Sequence, residues 1–139
     1  MTDAMIRGIL ETTRVIALVG WSPNPERPSH RVAAYLAGRG YRVIPVNPGH
    51  AGQKALGEVI RANLASVPAD AGVDMVDIFR RSEHVLPLVQ EALAHLPQLR
   101  TVWMQLGVQN ADAAVLARRR GVLVVQDRCP AIEIPRLGL

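Results

Sequence analysis

The sequence is poor in cysteine and in aromatic residues, and each shortage excludes a class of protein. Its 139 residues contain one cysteine, Cys129, so no internal disulfide can form. A single thiol is typical of proteins from a reducing compartment. Aromatic residues make up 4% of the chain, which leaves few surfaces on which single-stranded nucleic acid could stack. We therefore expect neither a disulfide framework nor a nucleic acid partner.

Long apolar runs and an N-terminal targeting segment are also missing. No run approaches the roughly 20 apolar residues that a membrane-spanning helix needs, so we expect no membrane association. Asp3, Arg7 and Glu11 interrupt the start of the chain, where a signal peptide would require an apolar core. These absences predict a cytoplasmic protein.

Lysine is almost absent, since Lys54 is the only one among the 16 basic residues and the rest are arginine. The planar guanidinium suits bidentate binding of phosphate. The base composition of the genome is a sufficient explanation for most of these arginines. The run from Arg118 to Arg120 falls at a predicted helix end, where positive charge complements the helix dipole. The net charge of +4 therefore does not by itself predict a polyanionic partner.

Apolar residues are abundant, at 49% of the chain, and predict one folded domain spanning residues 1–139. Runs typical of buried strands alternate with helical patterns. This alternation predicts an α/β fold with a doubly wound, mainly parallel sheet of five or six strands in a Rossmann-like three-layer sandwich. The predicted strands lie at 15–19, 41–48, 73–79, 101–105 and 122–125, and the predicted helices at 3–12, 29–40, 82–95 and 110–120, with a weaker strand at 58–60 and a helical turn at 64–68.

The most informative stretch runs from Val15 to Val32. A buried strand ends at Gly20, the next loop contains three prolines that exclude regular structure, and Ser29 is predicted to cap the following helix. A parallel strand that leads through a glycine turn into a helix leaves backbone N–H groups free for an anion, most often a phosphate. In doubly wound sheets the ligand lies at the carboxyl ends of the strands. The stretch therefore predicts a phosphate-binding site there.

Two common nucleotide-binding motifs are absent from the chain. Residues 21–23, Trp-Ser-Pro, replace the continuation of the G-x-G-x-x-G fingerprint after Gly20. Asn47-Pro48 follows the second predicted strand, where an NAD site has an acid that binds the ribose 2′-hydroxyl. No P-loop sequence occurs either. An NAD(P)-binding oxidoreductase or sensor therefore stays an alternative rather than the first choice.

Five segments, in order, carry a resemblance to a known family. They are 19–31, Val46-Asn47-Pro48, Val-Asp-Ile-Phe-Arg-Arg-Ser at 76–82, Trp-Met-Gln-Leu-Gly at 103–107 and Asp-Arg-Cys-Pro at 127–130. Together they resemble the small single-domain CoA-binding proteins, which are similar to the CoA-binding domain of the succinyl-CoA synthetase alpha subunit. The resemblance implies a Rossmann-like fold that holds coenzyme A or an acyl-CoA at the strand ends. The synthetase alpha subunit has a second domain, which carries the histidine that is phosphorylated. No segment of this sequence matches that domain, so the resemblance does not imply ligase activity.

By position, the resemblance implies a binding site with four parts. Gly20, Trp21 and Ser22 would cradle the pyrophosphate, with Arg27, Ser29 and His30 near its charge. Val46, Asn47 and Pro48 would border the adenosine. Ile78, Phe79 and Arg80 would line the next wall, and Met104, Gln105 and Gly107 the pantetheine side.

No catalytic group or metal site is evident in the sequence. His30 has no second histidine or carboxylate paired with it, and the other histidines and Cys129 lack metal-ligand spacing. We expect Asp77 to make a local ion pair with Arg80 and Cys129 to be buried. The chain is therefore predicted to be a binding protein without catalytic machinery. Two alternatives are a redox-responsive protein in which Cys129 forms a mixed disulfide with the CoA thiol, and an interaction module with a vestigial pocket.

Overall fold

Helices and strands alternate along the chain, as the apolar pattern predicts. The computed structural model describes residues 1–139. Four short 3-10 turns cover Pro48–His50, Leu64–Ser66, Ala69–Ala71 and Ser82–His84. The longer elements, in chain order, are α1 (Asp3–Thr12), β1 (Val15–Val19), α2 (Pro28–Gly38), β2 (Arg42–Val46), β3 (Lys54–Ala55), β4 (Glu58–Val59), β5 (Met75–Ile78), α3 (Val85–His95), β6 (Thr101–Met104), α4 (Ala111–Arg119), β7 (Leu123–Val125) and α5 (Pro130–Arg136).

Five of the strands form one parallel sheet in the order β2-β1-β5-β6-β7. The other two, β3 and β4, pair antiparallel as a separate hairpin. The chain runs from β1 outward to β2 and then returns to the opposite side of β1, so the strand order reverses between β1 and β5. The predicted doubly wound, Rossmann-like α/β fold is confirmed.

Two apolar layers cover the faces of this sheet, because side chains alternate along each strand. Leu18 and Trp103 belong to the layer that includes residues of α1, α2 and α5. Ala17 and Val102 belong to the opposite layer, with residues of α3 and α4. The sheet therefore lies between two helix layers, as a three-layer sandwich. None of the five helices has both the length and the apolar character that crossing a bilayer requires.

Pro45 lies inside β2, paired with Leu18, whereas the sequence predicts it where strand pairing stops. β2 is an edge strand, and the Pro45 carbonyl accepts a hydrogen bond from the Arg61 N–H on the outer side. The nitrogen and the carbonyl of one strand residue point the same way, so the missing N–H also faces outward. The ladder between β1 and β2 therefore loses no donor, which is why an edge strand tolerates this proline.

Two helices begin before their predicted caps. Pro28 takes the first turn of α2, where its missing N–H costs nothing, and Arg27 is at the cap position, so Ser29 is not the cap. In α1 the Thr2 hydroxyl accepts the capping hydrogen bond, and Asp3 lies in the first turn instead. The predicted cap residues were wrong by two positions in α2 and by one in α1.

The sequence pattern does not predict α5. Two of its seven residues are prolines, Pro130 and Pro135, and prolines ordinarily argue against a helix. Pro130 is in the first turn, where proline is favoured. Near the other end, the Arg136 guanidinium pairs with the Asp3 carboxylate of α1, with nitrogen and oxygen 2.9 Å apart. Contacts with the rest of the fold therefore support a helix that local preference does not.

A buried carboxylate, Glu133, fixes α5 from inside. Its side chain is 5% exposed and pairs with Arg128 and Arg136, with the Arg128 Nη1 to Glu133 Oε1 distance at 2.5 Å. Burial alone would raise the pKa of Glu133, but the hydrogen bonds and charges of the two guanidiniums hold that pKa below its usual value. The ionised carboxylate is therefore stabilised in the folded protein.

Asn110 caps α4, as predicted, and we expect its replacement to be costly. Its Oδ1 accepts from the Ala113 N–H and its Nδ2 donates to the Ser82 carbonyl, both at 2.9 Å. Asn110→Ala should lower the free energy of unfolding by about 1–2 kcal/mol, measured by urea denaturation. Asn110→Asp, which keeps the capping oxygen, should lose less; equal losses for the two variants would contradict the capping role.

Candidate functional site

Gly20 lies where β1 ends, beside the point at which the strand order reverses. Its φ is +87°, and a Cβ added there would lie 2.3 Å from the Phe79 carbonyl oxygen. Only glycine meets both conditions. The Gly20 N–H donates to the Val46 carbonyl at 3.1 Å, so this amide is not free for a ligand. Gly20 therefore supplies the turn and the open space, and the residues after it supply the donors.

A cavity of about 380 Å³ opens between this turn and the start of α2. The backbone N–H groups of Trp21, Ser22 and Ser29 and the Ser29 hydroxyl donate to no group of the protein. The Arg27 guanidinium takes part in no ion pair. Unpaired amides and a free cation at a helix N-terminus form a suitable site for an anion. The cavity is lined by Gly20, Trp21, Ser22, Arg27, Pro28, Ser29, Asn47 and Phe79.

Hydrogen bonds within the middle of this loop fix its shape. The Asn24 N–H donates to the Ser22 Oγ at 3.1 Å, and the Glu26 N–H donates to the Asn24 Oδ1 at 3.0 Å. The Arg27 N–H donates to the Asn24 carbonyl at 3.0 Å. Because the loop uses these amides itself, its free donors are confined to its two ends, which are the parts that line the cavity.

Two side chains hold the loop from outside. The His30 Nδ1 lies 2.9 Å from the Ser22 carbonyl, and since a carbonyl only accepts, this nitrogen carries the hydrogen. The His30 ring lies against the Trp21 indole, with centroids 5.8 Å apart. Asn47 donates to the Trp21 carbonyl at 2.7 Å and accepts from the Gly49 N–H at 2.8 Å. Both residues therefore position the loop, whatever further contact a ligand makes.

A second cavity, of about 350 Å³, lies beside the first and extends to α3. Gly20 and Asn47 line both cavities, and Arg80, which takes part in no ion pair, lines the second. An elongated ligand with charge at two places would fit along this edge. The remaining lining residues are Val19, Val46, Pro48, Ala62, Asn63, Leu64 and Leu88. Sequence reasoning missed residues 62–64, because they follow a glycine-rich segment with no clear periodicity.

Five residues that the resemblance implies in the site lie outside both cavities. Ile78 and Met104 are fully buried in the layer beneath α3 and α4. His30 holds the loop, Gly107 lies in an exposed turn, and Gln105 is 6% exposed. The structure therefore brings together the implied residues after β1 and β2 with Phe79 and Arg80, which follow β5. It does not bring the implied residues at the end of β6 into either cavity.

Asp77 does not form the expected ion pair with Arg80. Asp77 lies inside β5 beside Trp103, whereas Arg80 lies in a bend after the strand and lines the second cavity with Leu88 of α3. The Asp77 carboxyl is completely buried and has no hydrogen-bond partner. Burial raises its pKa well above the usual range, so the carboxyl keeps its proton at a pH where an exposed aspartate is ionised.

Comparison with known proteins gives consistent matches over this architecture. Residues 14–135 match the family model described as a CoA binding domain. The uncharacterized protein YneT of Bacillus subtilis is 35% identical over 128 residues, which are 92% of this chain and 90% of that protein. A solved structure from Thermus thermophilus is 35% identical with a TM-score of 0.90, covering 99% of both chains. One from Pyrococcus horikoshii OT3 is 34% identical with a TM-score of 0.89, covering 99% of this chain and 92% of that one.

The matched range contains every residue of the two cavities, from Val19 to Leu88. The three proteins are each more than 30% identical to this chain over nearly its full length, and the two solved structures share its fold. The resemblance noted in the sequence and the match to the family model agree, and the chain belongs to the CoA binding domain family.

Proposed function

We propose that the protein binds coenzyme A, free or acylated, along the carboxyl ends of β1, β2 and β5. The observation that carries the proposal is the first cavity, where three unpaired backbone N–H groups and the unpaired Arg27 surround one space. Pyrophosphate matches such a donor set in charge and in hydrogen bonding. Membership of the CoA binding domain family supports this choice of nucleotide over NAD.

The two cavities suggest an orientation for the ligand. The pyrophosphate lies against Trp21, Ser22 and Ser29 in the first cavity, and the adenosine extends past Asn47 into the second. CoA carries a further phosphate on the adenosine ribose, and the free guanidinium of Arg80 is its counter-ion. This placement uses one unpaired arginine for each group of phosphates.

The proposal is limited to binding. No aspartate, glutamate, histidine or cysteine lines either cavity, so the residues there offer no general acid or base. Cys129 is 5% exposed, lies at the cap position of α5 and lines neither of these two cavities. We further propose that the protein binds this small-molecule ligand in the cytoplasm. Its role would be similar to that of the CoA-binding domain of the succinyl-CoA synthetase alpha subunit.

Calorimetric titration of the purified protein with CoA, acetyl-CoA, NAD and FAD tests this function. We expect the two CoA ligands to bind more tightly than NAD or FAD. Arg27→Ala should weaken CoA binding about 10-fold or more, because a hydrogen bond to a charged group contributes about 1.5–3 kcal/mol. The matched control is Arg120→Ala, which removes the same charge from an exposed residue at the end of α4.

Three results would count against the proposal. Tighter binding of NAD than of CoA would overturn the choice of ligand. Equal losses for Arg27→Ala and Arg120→Ala would show that only net charge matters, and an unchanged affinity in Arg27→Ala would remove Arg27 from the site.

A further inference from the structure

A third cavity, of about 420 Å³, lies at the amino ends of the strands, across the sheet from the proposed CoA site. Two of its lining residues, Thr101 and Leu123, are the first residues of β6 and β7, and a third, Asp74, comes directly before β5. The volume is in the range of about 300–1,000 Å³ that is typical of pockets for small molecules. The cavity shares no lining residue with the two at the carboxyl ends, so it is a separate site.

The floor of this cavity is a part of the sheet that the helices leave uncovered. The Thr101 side chain lies on the same face as Trp103, which belongs to the layer containing α1, α2 and α5, because the two residues are two apart in β6. Leu123 pairs with Thr101 in register, and it is 42% exposed although it is apolar. Met5 of α1, which also lines the cavity, is 47% exposed. The cavity therefore offers an apolar surface between α1 and β7.

Gly8 keeps the wall formed by α1 open. It lies in the middle of that helix and lines the cavity. Glycine inside a helix lowers stability relative to alanine. A Cβ at this position would meet no atom within 4 Å, so no close approach of another part of the fold requires glycine. The missing side chain instead adds space to the cavity.

Thr101 contributes a buried hydroxyl group that has no partner. The residue is 3% exposed, and its Oγ1 makes no hydrogen bond with the protein. The hydroxyls of Thr12 and Thr13, which line the same cavity, donate to backbone carbonyls of α1 at 2.7 and 2.6 Å. Most buried polar side chains have a hydrogen-bond partner. A ligand in the cavity would supply the partner that Thr101 lacks.

Charges of both signs are present at the cavity, and neither is in an ion pair. They belong to Asp74, which is partly buried, and Arg100, which is exposed. The Asp74 carboxylate accepts from the N–H groups of Arg14 and Val15 at 3.0–3.2 Å. A carboxylate has about four acceptor positions, so these bonds leave room for a further donor. A ligand with both an anionic and a cationic group would match the pair.

We propose that this cavity binds a small zwitterion with an apolar side chain, namely a free apolar α-amino acid. The carboxylate of the ligand accepts from the Thr101 hydroxyl and from the flexible Arg100 side chain at the mouth. Its ammonium donates to the Asp74 carboxylate, and its apolar side chain lies against Met5 and Leu123. This site does not depend on the proposed binding of CoA.

Calorimetric titration with leucine and its analogues tests the chemistry of the ligand. We expect leucine to bind at least about 10-fold more tightly than leucinamide, which lacks the carboxylate. We expect the same difference from 4-methylpentanoate, which lacks the ammonium. Alanine should also bind more weakly, because its methyl group covers little of the apolar floor.

Variants of the lining residues test the place of binding. Arg100→Gln should weaken leucine binding about 10-fold, whereas Arg120→Gln, at the exposed end of α4, should leave it unchanged. Thr101→Val removes the hydroxyl and keeps the shape, so it should weaken leucine binding without lowering the urea concentration at which the protein unfolds. Gly8→Leu should abolish leucine binding by filling the cavity and should unfold at an equal or higher urea concentration. The affinity for CoA should be the same in all four variants.

The site is overturned if millimolar leucine gives no heat of binding, or if leucine and leucinamide bind equally well. Equal losses for Arg100→Gln and Arg120→Gln would also overturn it, since only net charge would then matter. Sedimentation gives a further check, because an apolar surface of this kind could instead join two copies of the chain. A dimer that Met5→Lys dissociates, together with no binding of leucine, would assign the surface to that contact and overturn the ligand site.

Discussion

Gly20→Ala should destabilise the protein by roughly 2–5 kcal/mol. The left-handed backbone at φ +87° costs a residue with a side chain about 1–2 kcal/mol. The added Cβ would also lie 2.3 Å from the Phe79 carbonyl oxygen, which is backbone and cannot rotate away. Forcing strands apart in a packed sheet costs a further 1–3 kcal/mol or so. Urea denaturation measures the sum, and the displaced turn should also weaken CoA binding.

Gly121→Ala is the matched control for this prediction. Gly121 has φ +77°, and a Cβ there meets no atom within 4 Å, so this variant shows only the conformational cost. We expect it to lose about 1–2 kcal/mol. The difference between the two variants measures the close approach of β1 to β5. If the two lose the same amount, the Gly20 turn is not packed against Phe79 as described.

The second large effect is a dependence of stability on pH that comes from Asp77. Burial raises the pKa of this carboxyl well above its usual range, so the folded protein keeps a proton that the unfolded chain has already lost. The contribution of Asp77 to stability is therefore complete below the pKa that its carboxyl has in the unfolded chain. It falls as the pH rises toward the pKa of the same carboxyl in the folded protein. Between these two pKa values, the contribution of Asp77 to the free energy of unfolding falls by about 1.4 kcal/mol per pH unit.

Asp77→Asn isolates this contribution, because asparagine does not titrate. The free energy of unfolding of the unmodified protein, minus that of the variant, should fall steadily from pH 4 upward and level off above the folded pKa. Glu133 acts in the opposite sense, since its lowered pKa means that its contribution is lost as the pH falls, and the subtraction cancels it. A flat difference would show that the Asp77 carboxyl titrates alike in the folded and unfolded protein.

Strand and helix positions were largely predictable, because they depend on local apolar periodicity. The helix from Asn110 and the buried strand at Val15 both have strong local signals, namely a cap residue before an apolar stripe and an unbroken apolar run. The α5 helix lacks any such signal. Its two prolines oppose a helix locally, and one of the ion pairs that hold it, between Arg136 and Asp3, joins residues 133 positions apart in the chain.

The candidate site was predictable where it depends on the chain near Gly20 and not where it depends on side-chain direction. The loop after β1 carries its turn glycine, prolines and free donors within a dozen residues. The resemblance implies Ile78 and Met104 in the site by their position at strand ends, but both side chains lie in the apolar core.

The Arg136 to Asp3 pair has a practical consequence for handling the molecule. It holds the two chain termini together, and the Arg7 guanidinium also donates to the Leu137 carbonyl at 2.6 Å. The α1 helix leads into the start of β1, while Gly20 follows its other end, about 16 Å away along a five-residue strand. An affinity tag or surface tether on either terminus therefore leaves the two cavities at the carboxyl ends of β1 and β2 accessible, and a short linker joining the termini would permit a circularly permuted chain opened at the β3–β4 hairpin turn.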